Sequence, residues 1–422
     1  MKTMMVYLVY NLLLFLFSPF YICRVIWKNR GWGERLGIGI PEVDKRDIIW
    51  IHAVSVGEVV ASKPFVSLFQ KELTGYQIVF STTTHTGKKM AQKVIEGNSH
   101  LFYLPFDFPF VVKKVMGRIS PLVIALVETE LWPNLLRYAE YFKIPVVVLN
   151  GRISPSSFKG YMKIRPFFVR ILNKVTVFCM QTEEDKRRLI ELGIKADKIK
   201  VTGNMKFDNY DDSGLLPKGE LMKRWNISGR EPVIVAGSTH PGEESILLKN
   251  FRKIEERFPK ALLIIVPRHP ERAKEIETLM REEGYSYLKR TEMNNSQIDE
   301  KILLVDTIGE LLQIYALADV VFVGGSLIPK GGHNPLEPAS LAKPIITGPH
   351  TFNFAEIMDI LKKNNAIIKI KNGEQLGKVL RELLSNPRER EQYGINARRV
   401  IQSYQGASRK NLEVIEKIVE KV

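Results

Sequence analysis

The chain has 422 residues, of which 45% are hydrophobic and 26% are charged. That composition excludes an intrinsically disordered chain, and the length exceeds what one hydrophobic core usually organises. The only cysteines are Cys23 and Cys179, which excludes a disulfide-stapled secreted domain. We therefore expect two domains with an appendage, and a reducing, cytoplasmic environment for the main body.

The formal net charge of +16 is compatible with nucleic acid, an anionic membrane surface or acidic substrates. Lysine and arginine are scattered along the chain, without an RNP-like aromatic pattern, zinc-finger spacing or a long basic block. We therefore expect an anionic ligand and an anionic membrane surface as partners, and no nucleic acid.

The chain begins with an apolar segment. Residues 4–23 carry no charge, and Arg24, Lys28 and Arg30 come directly after it. About 20 apolar residues cross a bilayer, and flanking positive charge keeps the downstream part of a chain in the cytoplasm. Residues 1–30 are therefore predicted to anchor the chain in the inner membrane, either crossing it or lying in one leaflet. A cleaved signal peptide and a buried core helix are the alternatives, disfavoured by the missing cleavage site and the missing polar face.

Beyond the anchor, short β-branched runs alternate with amphipathic stretches, which is typical of βαβ units and parallel sheets. The predicted strands form two series: 47–54, 77–81, 122–127, 145–149, 175–180 and 199–202, then 232–236, 261–266, 301–305, 320–323, 344–347 and 366–370.

Residues 209–219 are rich in Gly, Pro and Asp and are predicted to be a linker. The fold class is therefore α/β, with two Rossmann-like, doubly wound domains, residues 31–208 and 220–422. We expect them to face each other across a cleft that holds the ligand at the strand ends. A last helix from about Pro387 is a candidate to pack back on the N-terminal domain.

Carboxylates come after the anchor and after the strands of the first half. Glu34 lies in GWGERLG, where a lipid head group would arrive, although an interfacial loop carboxylate is the plainer interpretation. Glu128 and Glu130 come after a strand and point the same way by strand alternation, which suggests active-site chemistry or, alternatively, helix capping. Lys206 ends the last strand of this half and is suited to neutralising a leaving phosphate or a carboxylate.

The densest motif of the second half is VVFVGGSLIPKGGHNPLEP, residues 320–338. Asn334 and Pro335 predict a helix start, and the amides freed by the glycines, with the positive helix end, are expected to hold a phosphate. Glu337 is suited to accepting both hydroxyls of a ribose. The motif matches neither the P-loop nor GxGxxG, and a glycine turn without a ligand is the alternative.

Two further strand ends carry candidate ligand contacts. Arg268 suits a phosphate or a nucleobase edge, with an exposed helix start as the alternative. Residues 306–311 (DTIGEL) open a helix whose first amides are a second candidate contact, which a plain capping box explains equally well. The histidines show no metal-ligand spacing, so neither a metal nor a cofactor is expected.

Together these motifs resemble the lipid A Kdo transferases, GT-B glycosyltransferases with two Rossmann-like domains; Kdo is 3-deoxy-D-manno-oct-2-ulosonic acid. The match runs through the whole chain in the family's order, at residues 31–37 (GWGERLG), 52–58 (HAVSVGE), 128–134 (ETELWPN), 203–207 (GNMKF), 237–243 (GSTHPGE), 267–272 (PRHPER) and 331–338 (GGHNPLEP). The resemblance implies an inverting, metal-independent transfer of Kdo from CMP-Kdo to a lipid A precursor, lipid IVA, in lipopolysaccharide core biosynthesis at the inner membrane.

The resemblance also implies roles for single residues. Glu34 falls on the general base, and Glu130 and Lys206 fall on positions assigned to transition-state stabilisation. The implied CMP-holding residues are Pro267, Arg268, Gly309, Glu310, Leu311, Asn334, Pro335, Leu336 and Glu337. Two alternatives stay open: another GT-B enzyme, such as a UDP-sugar epimerase, and a non-catalytic membrane tether that binds a nucleotide sugar.

Overall fold

The computed structural model describes residues 2–27, 31–43, 47–95, 100–210, 214–294 and 296–421, with only the backbone for residues 2–6 and 20–27. Lys28 and Arg30 of the predicted anchor, and residues 211–213 of the predicted linker, lie outside the described residues. The chain forms two compact units, Met1–Asn209 with Tyr404–Val422, and Tyr210–Ser403. Each contains a seven-stranded sheet. The predicted α/β class with two doubly wound sheets is confirmed.

The sheet of the first unit has the strand order β3-β2-β1-β4-β5-β6-β7, and every neighbouring pair is parallel. Its strands are β1 (Ile48–His52), β2 (Gln77–Thr82), β3 (His100–Tyr103), β4 (Val123–Val127), β5 (Val146–Gly151), β6 (Val177–Met180) and β7 (Ile199–Val201). The helices that precede or connect them are α1 (Lys2–Trp27), α2 (Trp32–Arg35), α3 (Val56–Glu72), α4 (His85–Val94), α5 (Pro109–Ile119), α6 (Pro133–Tyr141), α7 (Pro155–Lys163), α8 (Arg165–Leu172) and α9 (Glu183–Leu192).

The second unit repeats this plan, with the strand order β10-β11-β9-β8-β12-β13-β14. Its strands are β8 (Val233–Thr239), β9 (Leu262–Pro267), β10 (Tyr287–Lys289), β11 (Ile302–Leu304), β12 (Val320–Val323), β13 (Ile345–Thr347) and β14 (Ile368–Lys369). Its helices are α10 (Lys218–Arg224), α11 (Glu243–Glu255), α12 (Ala273–Glu282), α13 (Leu311–Leu317), α14 (Leu336–Ser340), α15 (Ala355–Lys363), α16 (Gly373–Ser385) and α17 (Pro387–Tyr404). A final helix, α18 (Ala407–Val419), belongs to the first unit.

The central strands are apolar along their whole length because helices cover both faces of each sheet. In β1, Ile48 and Trp50 join the core cluster on one face, whereas Ile49 and Ile51 join the cluster on the other. This double burial produced the continuous apolar runs from which twelve strands were predicted. The two strands that the sequence analysis missed, β3 (HLFY) and β10 (YLK), contain no β-branched residue, unlike the edge strands β7 and β14, which were predicted.

The end of the chain differs from the prediction of one last helix. Gly406 has a φ of 99°, which separates α17 from α18. Asp208 accepts hydrogen bonds from the backbone N–H of Gly406 at 2.7 Å and of Ser408 at 2.6 Å, so its carboxylate caps α18. Leu412 and Ile415 of α18 then complete the core that α3 and the first sheet share.

The helix α1 packs one side against the first unit. Tyr10 donates a hydrogen bond to Asp107 at 2.9 Å, Asn134 donates one to Asn11 at 2.7 Å, and Leu14 packs on the core. Its other side exposes large apolar residues, among them Leu12 at 63%, Leu16 at 67% and Phe17 at 70%. Within the part of the chain that the structure describes, no helix is both long and apolar enough to span a bilayer, so the predicted membrane helix is not confirmed.

Beside its first strand, each sheet reverses its strand order, between β1 and β4 in the first unit and between β8 and β12 in the second. In open α/β sheets, ligands bind at the carboxyl ends of the strands on either side of such a point. Functional side chains are therefore expected at these two sheet edges.

Candidate active site

Glu34 is held in place at the carboxyl edge of the first sheet. The sequence predicted a loop here, whereas residues 32–35 form the short helix α2. Both Glu34 oxygens lie 2.8 Å from Lys88 Nζ, and one accepts the backbone N–H of Tyr103 at 2.6 Å. Gly31 opens α2 with a φ of 63°, and a Cβ there would lie 2.1 Å from the Tyr103 ring. The carboxylate is therefore fixed by an ion pair and by the end of β3.

A second acidic group lies beside the strand-order reversal of this sheet. β4 ends at Val127, and Glu128 has a φ of 61°, so strand alternation does not set its direction and that argument was wrong. Lys206 Nζ lies 3.2 Å from Glu128 Oε1. Burial, and then the charges of Glu58 and Glu128, raise the pKa of Glu130 to about 7. Glu130 therefore changes its charge near neutral pH.

The Glu34 group and the second acidic group are joined through the ends of β1 and β2. The Arg35 guanidinium, next in the chain to Glu34, donates to the backbone oxygen of Thr83. The Thr83 N–H in turn donates to the backbone oxygen of Val54 at 3.2 Å, and the Val54 N–H donates to the Glu58 carboxylate. All three catalytic residues implied by the resemblance thus belong to this edge of the first unit.

Lys88 and Glu58 were not predicted to join this site. Lys88 lies in the first turn of α4, where a positive charge is unfavourable because it opposes the helix dipole. A lysine at such a position indicates a nearby carboxylate partner, so the sequence contained a sign of this contact. Residues 52–58, which end in Glu58, were placed at the end of a strand, but no role was predicted for Glu58 itself.

At the edge of the second sheet, a buried carboxylate accepts hydrogen bonds from backbone N–H groups that were expected to bind a phosphate. Glu243, which is 0% exposed, accepts the backbone N–H of Gly325 at 2.7 Å and of Ser326 and Leu327 at 2.9 Å each. It also accepts the N–H of His240 at 3.0 Å. The expectation that the glycine-loop amides bind a phosphate is therefore wrong for residues 325–327, whose amides an internal carboxylate already satisfies, and it stays a prediction for residues 331–337.

Three histidines converge beside this loop, although they are far apart in sequence. His240 Nε2 and His333 Nε2 are 2.8 Å apart with ring planes 3° from parallel, and the His269 ring lies 5.9 Å from that of His240. His240 comes directly after β8 and His333 lies in the loop after β12, so the pair brackets the strand-order reversal. Among the described residues, no group of three or more His, Cys, Asp and Glu side chains has the geometry to hold a metal ion.

Both imidazoles of the His240–His333 pair are neutral near neutral pH. Burial, followed by the Arg268 charge, lowers the pKa of His333 to about 4, and burial with the His269 and Lys330 charges lowers that of His240. The 2.8 Å contact therefore holds one neutral N–H pointing at one neutral nitrogen. An anion bound nearby would favour protonation of one ring to imidazolium, because its negative charge counters the repulsion that keeps both rings neutral.

Two of the three predicted CMP segments meet at this edge. Asn334 Nδ2 lies 3.1 Å from Glu337 Oε1 and also donates to the Tyr210 hydroxyl, while Asn334 Oδ1 accepts the Leu336 N–H at 3.1 Å. Burial raises the pKa of Glu337, and the charge of Arg268 acts against this shift. The segments holding Pro267 and Arg268 and residues 334–337 are thus neighbours, with Pro335 and Leu336 buried.

The third predicted CMP segment is engaged in local contacts. Gly309 has a φ of 98°, and Glu310 directly precedes α13, which begins at Leu311 and packs against α14. The Glu310 carboxylate lies 2.9 Å from Arg290 Nη2 and accepts the Thr307 hydroxyl proton. No described side chain makes a capping hydrogen bond to α13, so the capping box is not formed, and the contact of α13 with α14 links the segment to residues 334–337.

A pair of doubly wound sheets, each with polar side chains at its strand-order reversal, defines a protein with the GT-B type of architecture. UDP-GlcNAc 2-epimerase from Neisseria meningitidis bound to UDP-GlcNAc has this fold, with a TM-score of 0.61 at 15% identity over 88% of this chain and 100% of that one. Residues 30–209 match the family model of 3-deoxy-D-manno-octulosonic-acid transferase (kdotransferase), and residues 233–400 match that of glycosyl transferases group 1.

Individual relatives agree with the family models. A 3-deoxy-D-manno-octulosonic acid transferase from Haemophilus influenzae is 34% identical over 88% of this chain and 87% of its own length. Another from Chlamydophila psittaci is 32% identical over 86% of this chain and 83% of its own length. The chain belongs to the 3-deoxy-D-manno-octulosonic acid transferase family.

Proposed function

We propose that this protein transfers Kdo from CMP-Kdo to a sugar hydroxyl of a lipid A precursor, lipid IVA, with inversion at the anomeric carbon. The new bond joins the acceptor oxygen to that carbon, and the bond from the carbon to the phosphate oxygen breaks. CMP leaves with the bonding electrons, and the hydroxyl proton goes to a carboxylate. The family membership and the different chemistry of the two sheet edges support this reaction.

The observation that carries the proposal is the Glu34 carboxylate, held between Lys88 Nζ at 2.8 Å and the Tyr103 N–H at 2.6 Å. A sugar hydroxyl is a very weak acid, so attack requires a positioned base, and this carboxylate has a fixed direction. Glu34 is therefore our general base. Glu130 and Lys206 are proposed to stabilise the transition state, as counter-charges to the oxocarbenium-like sugar and to its carboxylate.

The second unit is proposed to bind CMP-Kdo. Arg268 supplies a fixed positive charge for the phosphate, while Asn334 and Glu337 offer an amide and a carboxylate to the nucleoside. Pro267, Gly309, Glu310, Leu311, Pro335 and Leu336 are proposed to contribute backbone and packing contacts to CMP. The leaving phosphate then meets Arg268 and the histidine pair, so the proposed reaction needs neither a protein-bound metal nor another cofactor. Full activity in the presence of EDTA is the corresponding test.

The apolar outer side of α1 supports a role in membrane attachment. Leu12, Leu16 and Phe17 form an exposed apolar surface, while Tyr10 and Asn11 are bonded to the folded unit. We therefore propose that α1 lies in the cytoplasmic leaflet of the inner membrane, with the body of the protein in the cytoplasm. The net charge of +16 adds attraction to anionic lipids and to the acidic donor and acceptor.

The deciding experiment is incubation of the protein with CMP-Kdo and a tetraacylated, bisphosphorylated glucosamine disaccharide, with the product analysed by mass. Addition of Kdo with release of CMP supports the proposal. Absence of product, together with turnover of a UDP-sugar, would favour the epimerase alternative. CMP-Kdo binding without turnover in the wild-type protein would favour the tether.

A further inference from the structure

An apolar pocket lies beside α2, between α1 and the loop after β3. It is formed largely by Leu14, Phe17, Leu104, Phe106, Phe108 and Trp132, and it contains about 730 Å³ of space including its open mouth. The enclosed part of that space is about 240 Å³, which is less than the roughly 300–1,000 Å³ of a pocket for a whole drug-sized ligand and suits one slender group. The ligand that fits this lining is a hydrocarbon chain.

Two polar atoms in the pocket wall have no hydrogen-bond partner among the described residues. They are the indole Nε1 of Trp132 and the hydroxyl Oγ1 of Thr83, both buried. Buried polar atoms are almost always paired, and a buried indole N–H usually finds an acceptor. Both residues line the pocket, so a polar group of an otherwise apolar ligand is the candidate partner for these two atoms.

The pocket connects a surface suited to lipid with the catalytic edge. Phe17, which lines it, belongs to the exposed apolar side of α1. Arg35 on its wall lies 4.5 Å from the centre of the Tyr103 ring, and the Tyr103 N–H donates to Glu34. A molecule in this pocket would thus have its apolar end near α1 and its polar end near the proposed base.

We propose that the pocket binds one acyl chain of the acceptor lipid, and that Trp132 Nε1–H donates to the ester or amide carbonyl joining this chain to the sugar. This inference rests on the proposed function, because it takes the acceptor to be an acylated sugar. Burial of the chain holds the sugar beside Glu34 and makes the acyl group, as well as the sugar, part of what the enzyme recognises.

The test is a matched pair of substitutions on α1. Ser18→Phe adds a ring to the pocket wall, whereas Leu12→Phe adds a similar ring on the exposed side of the same helix. Ser18→Phe should raise KM for the tetraacylated acceptor by about tenfold, the effect of excluding roughly two methylene groups. KM for CMP-Kdo and KM for a fully deacylated disaccharide should stay within about twofold, as should all values for Leu12→Phe.

A second variant tests the polar contact without filling the pocket. Trp132→Phe keeps an aromatic ring and removes the donor, so KM for the acylated acceptor should rise about fivefold, the value of one neutral hydrogen bond, with no change for the deacylated disaccharide.

Equal effects of Ser18→Phe on acylated and deacylated acceptors would overturn the proposal. The proposal would also be overturned if Ser18→Phe lost binding to phospholipid vesicles but discriminated between the two acceptors as the wild type does. A membrane phospholipid would then be the occupant of the pocket. If the wild-type protein makes no Kdo product, the proposed function fails. The pocket is then tested separately, by measuring equilibrium binding of radiolabelled acylated disaccharide to the same variants.

Discussion

The edges of the two sheets carry different charged side chains on the same scaffold: carboxylates outnumber Lys88 and Lys206 at the first edge, whereas Arg268 and histidines stand with Glu337 at the second. Around the first edge stand Glu34, Glu58, Glu128 and Glu130, whereas around the second stand Arg268 and three histidines. Carboxylates take protons and stabilise positive charge, while guanidinium and imidazole groups take anions. This difference underlies our proposal that the first unit binds the acceptor hydroxyl and the developing cation, and that the second unit binds the leaving phosphate.

The equivalent glutamates Glu58 and Glu243 make the contrast sharper. Each lies after the first strand of its sheet and accepts a backbone N–H from the end of that strand, from Val54 in one case and His240 in the other. Glu243 is fully buried and takes three further amides, whereas Glu58 is partly exposed beside other carboxylates. The same local motif thus satisfies buried backbone amides in the second unit, whereas in the first unit it adds negative charge beside other carboxylates.

The largest expected effect is that of Glu34→Gln. The amide keeps the size of the side chain but cannot take the acceptor proton, so kcat should fall by about a thousandfold while CMP binding by the second unit is unchanged. Steady-state kinetics and calorimetric titration with CMP measure the two quantities. Glu42→Gln, whose side chain is 94% exposed, is the control and should behave as wild type. Full activity of Glu34→Gln would remove Glu34 as the base.

The next effect concerns stability and separates the two equivalent glutamates. Glu243→Gln replaces an acceptor of four buried N–H groups by an amide that also donates, so the unfolding free energy should fall by about 3 kcal/mol. Glu58→Gln, at a partly exposed position, should cost less than about 1 kcal/mol. Urea unfolding monitored by tryptophan fluorescence compares them, and equal losses would contradict the contrast between the two glutamates.

A smaller effect is expected from pH. The pKa of Glu130 is raised from its usual value of 4.5 to about 7, so its carboxylate form increases as pH rises through 7. If that form stabilises the transition state, kcat should rise about tenfold between pH 6 and 8, and Glu130→Gln should be low and flat over this window.

The same shift has a defined consequence for stability. The native state binds this proton more tightly than the unfolded state does, so the contribution of Glu130 to stability is complete below about pH 4.5 and is lost as pH rises through about 7. Glu130→Gln should remove that part of the pH dependence in urea unfolding. An unchanged profile in the variant would show that another group titrates.

The smallest effect is that of His333→Gln. Removing one imidazole of the pair costs about one neutral hydrogen bond to the donor, so KM for CMP-Kdo should rise about fivefold with KM for the acceptor unchanged. His100→Gln, which removes an imidazole at the start of β3 in the first unit, is the control. A change confined to the acceptor KM would contradict the assignment of this edge to the donor.

Much of the fold was predictable because burial on both faces of a parallel sheet demands continuous apolar strands. The edge strands β3 (HLFY) and β10 (YLK) escaped prediction because neither contains a β-branched residue, whereas the predicted edge strands β7 (IKV) and β14 (IK) do. The break at Gly406 also escaped, since its cap is Asp208, about two hundred residues earlier.

By itself, the sequence determined the α/β class, the two series of strands and the motifs that place charged residues at strand ends, because these depend on periodicity and local turn chemistry. It also carried the family motifs, from GWGERLG to GGHNPLEP. Only the tertiary structure decided which groups meet: Lys88 with Glu34, Glu243 with the glycine loop, and His240 with His333. Such partners are separated by 54 to 93 residues, and a contact at that separation is fixed by strand order and packing, which no local pattern encodes.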